Sequence, residues 1–347
     1  MTQFQAEPGV IETRIEGVTK YVVGNIRIYQ IRVESFPNHV TNMYLILDRE
    51  ASLVDLAFDG EKARTDLEKG FAIISKDFKE SVGIEDVGNI IITHGHRDHF
   101  GMLEYEKLKG KRVYVHQLES GVIENYPREY FDWRGKLLRM AREAGYNVRV
   151  EGLRLDDEFL VQPTDYEIVK VRAGHKIVNG YVVYHTPGHS PGHICLKVGS
   201  VLFLGDHILS FTTPHQVPQS NWGGVGLETY LSSLRKAADL GVELGLPGHE
   251  DTIYSVKARA EEIEAFHYQR LEELIELCQE EKSLLQLTDE YYQRHPEFIQ
   301  TLYFEELVED EKLYALEEIK AHVEYLLENN RMMVTGIENG VTKYRLR

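Results

Sequence analysis

Ile90-Ile91-Ile92-Thr93-His94-Gly95-His96-Arg97-Asp98-His99-Phe100-Gly101 decides the reading of this 347-residue chain. A β-branched apolar run stops abruptly, and four side chains able to bind metal follow within six residues. Imidazole and carboxylate are the borderline donors preferred by Zn²⁺ and its first-row neighbours. His94 and His96 are two apart, so in an extended loop leaving a strand they point to the same side. Asp98 and His99 then fall across the turn, so one segment offers two donor pairs to two adjacent ions. An isolated histidine is ordinarily a satisfied core or surface residue. Four donors packed behind an apolar strand point instead to a metal centre.

Other donor-bearing strand ends follow in order: Thr186-Pro187-Gly188-His189, Leu204-Gly205-Asp206 and Leu246-Pro247-Gly248-His249, with Leu53-Val54-Asp55 upstream. Together with His94-x-His96-x-Asp98-His99, this series resembles the five motifs of the metallo-β-lactamase-fold hydrolases, over about Tyr21 to Thr252. The resemblance implies an α/β protein with a four-layer αββα sandwich, the metals lying at the edge of two facing sheets. It puts His94, His96 and His189 on a first metal and Asp98, His99 and His249 on a second, with Asp206 bridging. Asp98 is also the expected catalytic residue, orienting a metal-activated hydroxide and accepting its proton. Asp55 and His193 are expected to support the ligands from behind. The implied cofactors are two divalent ions, Zn²⁺ first, with Fe²⁺ or Mn²⁺ as alternatives.

Composition narrows the setting. Lys and Arg total 39 against 56 Asp and Glu, a net charge of −17. Such a surface repels nucleic acid and anionic membranes in the absence of a local basic patch. The N-terminus carries no basic-then-apolar leader pattern, no run reaches the roughly 18 apolar residues of a membrane span, and Cys195 and Cys278 are far apart. The expectation is a cytoplasmic enzyme acting on a small molecule.

Strands are expected over Val22–Arg32, Met43–Leu47, Arg112–His116, Glu167–Val171, Tyr181–His185, Ile194–Val198 and Val201–Leu204, and on Glu243–Leu246. Helices are expected over Glu61–Lys76, His99–Leu108 and Leu227–Ala238. Glu119 to Gly152 breaks the alternation. Its aromatic residues Tyr126, Tyr130, Phe131 and Trp133 precede Leu137, Leu138 and Met140 at helical spacing, which suits a helical insertion, a flap walling the substrate pocket, or both. Thr212 to Gly224 suggests an ordered pocket loop, with His215 and Trp222 as candidate substrate contacts.

After residue 256 the pattern changes, so residues 1–256 are taken as the catalytic domain and 257–347 as a second domain. A long helix over Lys257–Glu281, a second ended by Pro296, a third marked by Leu316, Ile319, Val323, Leu326 and Leu327, and a hairpin turning at Asn339-Gly340 suggest a small winged-helix-like appendage. Winged helices often bind DNA. This segment holds 11 Lys or Arg against 21 Asp or Glu, whereas phosphate contacts need clustered positive charge. Packing on the catalytic domain, or on a sister subunit in a homodimer, suits it better, and no DNA partner is expected.

A competing pattern is Gly188-His189-Ser190-Pro191-Gly192, which matches a Gly-x-Ser-x-Gly nucleophile elbow. That elbow uses the N–H after the serine as an oxyanion donor, and Pro191 has none. The elbow also opens a helix, whereas His193–Val198 reads as strand. The leading expectation is therefore a dinuclear hydrolase of a thioester or ester, whether acyl-thioester, hydroxyacylglutathione-like or lactone. The alternatives are a metal-dependent endoribonuclease, a mononuclear iron persulfide dioxygenase, and a metal-bearing protein without catalysis.

Overall fold

The computed structural model describes residues 2–6, 10–149, 161–242, 244–295 and 309–347. Gly152, Glu243 and Pro296, named above as element boundaries, lie outside them. The chain forms two compact units.

The first unit comprises residues 1–126, 161–214 and 233–260. Its larger sheet runs in sequence order: β1 (Thr2–Ala6), β2 (Val10–Ile15), β3 (Val18–Val23), β4 (Ile26–Phe36), β5 (His39–Leu47), β6 (Ser52–Val54), β7 (Asn89–Ile91), β8 (Arg112–His116) and β9 (Glu167–Val171). Pairing is antiparallel from β1 to β6 and parallel from β6 to β9. The smaller sheet is β10 (Val182–His185), β11 (Ile194–Val198), β12 (Val201–Gly205) and β13 (Leu244–Pro247), the last pair parallel.

Alternation along the strands builds the layers, because successive side chains face opposite ways. Tyr29, Ile31, Val33, Met43, Leu45, Ile90 and Val113 pack with Leu67, Phe71 and Ile74 of α1 (Glu61–Lys76). Their neighbours Ile28, Tyr44, Ile46, Ile91 and Tyr114 face the other way and join Val183, Leu196, Phe203 and Leu246 of the smaller sheet. Tyr44 and Phe203 meet edge to face across the sandwich, ring centroids 5.2 Å apart. Helix α1 has the bounds expected from its spacing. The expected strand Val22–Arg32 is instead a hairpin, broken at Gly24, whose φ of 59° is the left-handed turn conformation.

The expected helix His99–Leu108 is likewise replaced by a single turn, α2 (Arg97–Phe100), and two 3₁₀ turns over Gly101–Glu104 and Glu106–Leu108. The cause is competition for backbone groups. The His99 carbonyl accepts from Leu56 N (2.9 Å) and Met102 N–H donates to the Ala57 carbonyl (2.9 Å), so both are diverted from a helical ladder. That diversion pins the ligand segment to the end of β6. A short helix, α3 (Ser120–Glu124), follows β8.

The second unit gathers residues 127–160, 215–232 and 261–347. It holds most of α4 (Tyr126–Ala144), the start of α5 (Leu227–Ala238), most of α6 (Val256–Leu277), α7 (Leu284–Arg294) and α8 (Glu309–Glu328). A three-stranded sheet completes it: β14 (Lys282–Ser283), β15 (Met332–Glu338) and β16 (Val341–Leu346), with β16 central. The hairpin turns at Asn339 and Gly340, both at positive φ, as the Asn-Gly pair requires. Ser283 caps α7 reciprocally with Gln286. Leu137, Met140, Ala141 and Ala144 form the buried stripe of α4.

Helix α8 also buries Glu317 and Glu318. Buried carboxylates persist only when paired. Glu318 pairs with the Arg270 guanidinium and accepts from Gln216 N (2.6 Å), while Glu317 accepts from Asn221 Nδ2 (2.8 Å). Arg270 is 5% exposed and also donates to Tyr291 Oη (3.0 Å). Replacing it by Ala leaves the buried Glu318 carboxylate to Gln216 N and His215 (3.3 Å), so Arg270→Ala is expected to destabilise this unit by about 1.5–3 kcal/mol. Denaturant unfolding reads the loss directly; a change below about 1 kcal/mol, the range of an exposed ion pair, contradicts the assignment.

Candidate metal centre

Every donor in the motif series sits on or just beyond the end of a strand. Thr93, His94 and His96 leave β7, Asp98 and His99 lie on α2, His189 lies in the β10–β11 connection, and Asp206 and His249 follow β12 and β13. Because β12 and β13 run parallel, their ends emerge side by side. Gly248 N donates to the Gly205 carbonyl at 2.7 Å, tying the two loops together. Gly205 adopts φ 48°, and a Cβ there would lie 2.6 Å from both His193 Nε2 and Thr93 Oγ1. Only glycine fits this crossing of three ligand loops.

The centre is organised about one atom. Asp206 Oδ2 lies 3.3 Å from His249 Nε2, 3.4 Å from His99 Nε2, 3.8 Å from His189 Nε2 and 3.9 Å from His94 Nε2. Two donor groups share this carboxylate: His94, His96 and His189 on one side, His99 and His249 on the other. A third group, His39, Asp98 and His249, adjoins the second. Asp98 Oδ2 is 3.5 Å from His249 Nε2 and 2.8 Å from His39 Nε2. His96 is the solvent-facing member, whereas His94 and His99 are fully buried.

The hydrogen bonds behind the centre set the tautomers. His249 Nδ1 meets the Val40 carbonyl at 2.7 Å; a carbonyl only accepts, so Nδ1 carries the proton and Nε2 is a bare lone pair when the ring is neutral. His99 Nδ1 donates to Asp55 Oδ2 at 3.0 Å, which likewise leaves its Nε2 bare. These two Nε2 atoms face each other at 3.1 Å. His96 Nδ1 is 3.0 Å from both His94 Nε2 and His189 Nε2. Asp206 Oδ1 is buried without a hydrogen-bond partner. Lone pairs converging on lone pairs beside an unsatisfied carboxylate oxygen call for cations, and the imidazole–carboxylate set suits divalent zinc, iron or manganese.

The two supporting residues expected from the sequence touch the ligand loops. Asp55, itself at φ 54°, accepts from Thr93 N and Thr93 Oγ1, each at 2.7 Å, besides orienting His99. His193 Nε2 accepts from Asp206 N at 3.1 Å. Ser190 is tied down by Glu119, donating from Oγ to Oε1 at 2.6 Å, and strand β11 rather than a helix follows it. His215 and Trp222 belong to the second unit. There His215 pairs with Glu317 (3.1 Å) and Glu318 (3.3 Å), and Lys136 Nζ lies 4.2 Å from the Trp222 ring centroid. Sequence reasoning overlooked His39, which bonds Asp98 and packs at a tilt against His249 with ring centroids 4.4 Å apart. Its only sequence signal was a turn, Pro37-Asn38, placed before a strand.

The family profile of the metallo-beta-lactamase superfamily matches residues 37–249. The chain belongs to that superfamily. It is 24% identical over 237 residues to a probable metallo-hydrolase of Bacillus subtilis, covering 63% of this chain and 70% of the relative. A shorter match, 35% identical over 79 residues and 22% of each chain, is to an atrochrysone carboxyl ACP thioesterase of Aspergillus fumigatus. A metallo-beta-lactamase family protein of Thermus thermophilus shares the fold at a TM-score of 0.71 and 27% identity, over 92% of this chain and 98% of its own. The protein is accordingly a metal-dependent hydrolase of this superfamily, and no helix among the described residues is long and apolar enough to cross a membrane.

Charge couples the centre to pH. Burial lowers the His94 imidazole well below its ordinary value, and His99 and His96 push it the same way. Burial also opposes protonation of His249, but the Asp206 carboxylate outweighs it and raises the pKa from 6.5 to about 9; His99 is raised for the same reason, with help from Asp55. Protons on these rings therefore stabilise the metal-free fold fully below pH 6.5, and the contribution is lost as pH rises through about 9. Bound cations replace those protons, so the rise in Tm on adding Zn²⁺ is expected to grow between pH 6.5 and 9. Differential scanning calorimetry of metal-free and loaded protein tests this, and an increment independent of pH contradicts it.

Proposed function

We propose that this chain is a dinuclear hydrolase that cleaves a thioester or ester of a small acyl substrate. The observation that carries the proposal is the position of Asp206 Oδ2 among four imidazole nitrogens, two from each donor group. One carboxylate oxygen shared in this way is what a bridging ligand requires. His94, His96 and His189 would hold one ion, Asp98, His99 and His249 the other, and Asp206 both. When bound, such a pair lowers the pKa of water and polarises an acyl carbonyl.

The protein's own groups do the rest. Asp55 and the Val40 carbonyl hold the second group's imidazoles with Nε2 inward. Burial alone would raise the Asp98 carboxyl, but the His39 hydrogen bond and the neighbouring His99 and His249 hold it well below the usual carboxylate range. It is thus ionised, suited to hold a cation and to orient attacking water by accepting its hydrogen bond. His39, partly exposed and bonded to that same oxygen, links it to solvent.

The thioesterase names of two fungal relatives, matched over 22% and 20% of this chain, support the acyl-thioester reading. The net charge of −17 opposes a polyanionic RNA substrate. Two buried free cysteines suit a reducing, cytoplasmic setting. The C-terminal helices and hairpin are taken as winged-helix-like, packing rather than reading DNA. A panel of acyl-thioesters, aryl esters and lactones, assayed with metal in excess and again after chelation, tests the proposal. Hydrolysis abolished by chelator and largely retained by Ser190→Ala is expected. Inactivity across the panel, or loss of activity in Ser190→Ala with metals still bound, contradicts it.

A further inference from the structure

Glu119 follows the end of β8, where its N–H closes a turn onto the His116 carbonyl at 2.9 Å. Its side chain is buried, 2% exposed, between two ligand loops. Ser190 Oγ and Gly192 N both donate to Glu119 Oε1 at 2.6 Å, and the Gly95 N–H is a third donor. Gly95 lies between His94 and His96, while Ser190 and Gly192 follow His189. The carboxylate thus joins the two loops that carry all three histidines of one donor group.

The packing around it is equally specific. A Cβ on Gly192 would stand 2.7 Å from Glu119 Cγ and 2.9 Å from His116 Nδ1, and one on Gly95 would stand 2.5 Å from Glu119 Oε2. The carboxylate fills the space that two absent side chains leave. His185 braces the same loop, its Nε2 bonding the Pro191 carbonyl at 2.9 Å while its ring stacks on His116 with centroids 4.2 Å apart.

We propose that Glu119 is a positioning residue for the three-histidine half of the centre, clamping the His94–His96 loop to the His189 loop so that their lone pairs converge. The inference rests on the reading that this half holds its own ion. A carboxylate suits the task because it accepts from three donors and presents none. Glutamine would turn an amide N–H₂ toward an N–H donor and break the clamp at nearly unchanged volume. Burial pushes the carboxyl pKa up, opposed by the same three hydrogen bonds, so the residue is costly to keep unless those bonds are made.

The test separates the two halves of the centre. Glu119→Gln is introduced into His249→Ala, which keeps the three-histidine group, and into His96→Ala, which keeps His99 and Asp98. Zn²⁺ affinity is then read by competition with a chromophoric chelator. Weakening of about 10- to 100-fold is expected in the His249→Ala background, and less than about threefold in the His96→Ala background. Equal weakening in both, or none in either, overturns the inference. If Glu119→Gln fails to fold, Ser190→Ala removes one of the three donors and is expected to weaken Zn²⁺ several-fold in the His249→Ala background alone; an unselective effect overturns the inference there too. A wild-type chain that takes up no Zn²⁺ defeats the dinuclear reading itself, and with it this inference, a result recognisable because it does not depend on residue 119.

Discussion

Four imidazole nitrogens crowd one carboxylate oxygen, Asp206 Oδ2, in a pocket largely closed to water. Coulomb attraction favours the arrangement only if positive charge stands between the rings. Without it, Nε2 lone pairs of His99 and His249 meet at 3.1 Å and Asp206 Oδ1 is left with no donor. The centre is therefore frustrated as a purely protein structure and satisfied once cations, or in their absence protons, are supplied. Much of the surrounding architecture exists to hold this unfavourable constellation in place.

The two-sheet sandwich supplies the holding force. Alternation puts one face of the larger sheet against α1 and the other into the inter-sheet core, so the strand ends are fixed to within the register of the sheets. The ligand loops leave those ends and are tied at once by backbone bonds, Gly248 N to Gly205 O and Leu56 N to His99 O among them. Left-handed backbone at Asp55 and Gly205 is accepted where it aims a carboxylate or lets three loops cross. Buried groups behind the donors then fix them: Asp55 and the Val40 carbonyl choose which nitrogen His99 and His249 present inward, and His193 accepts from the backbone N–H of Asp206.

Much of this was legible in the chain because the informative residues are local. Four donors within six residues and three later Gly-His or Gly-Asp strand ends are short-range patterns, and the fold brings those residues together. Asp55 was legible for the same reason, since it ends an apolar strand. His39 and Glu119 were not, because what defines each is a partner 59 or 71 residues away. The burial of Glu317 and Glu318 on α8 depends likewise on distant partners, Asn221 for the first and Arg270 for the second. The supposed helix after His99 failed for a tertiary reason as well. Its backbone groups bond to residues 56 and 57, and no propensity scale anticipates that choice.

Metal content per chain, by elemental analysis of protein purified without chelator, tests the central claim most directly when wild type is compared with Asp206→Ala. Two divalent ions per wild-type chain, both lost in the variant because one oxygen serves both groups, is the predicted result. A single ion with no second taken up on titration, or a variant that keeps one ion at wild-type affinity, contradicts the shared-carboxylate account.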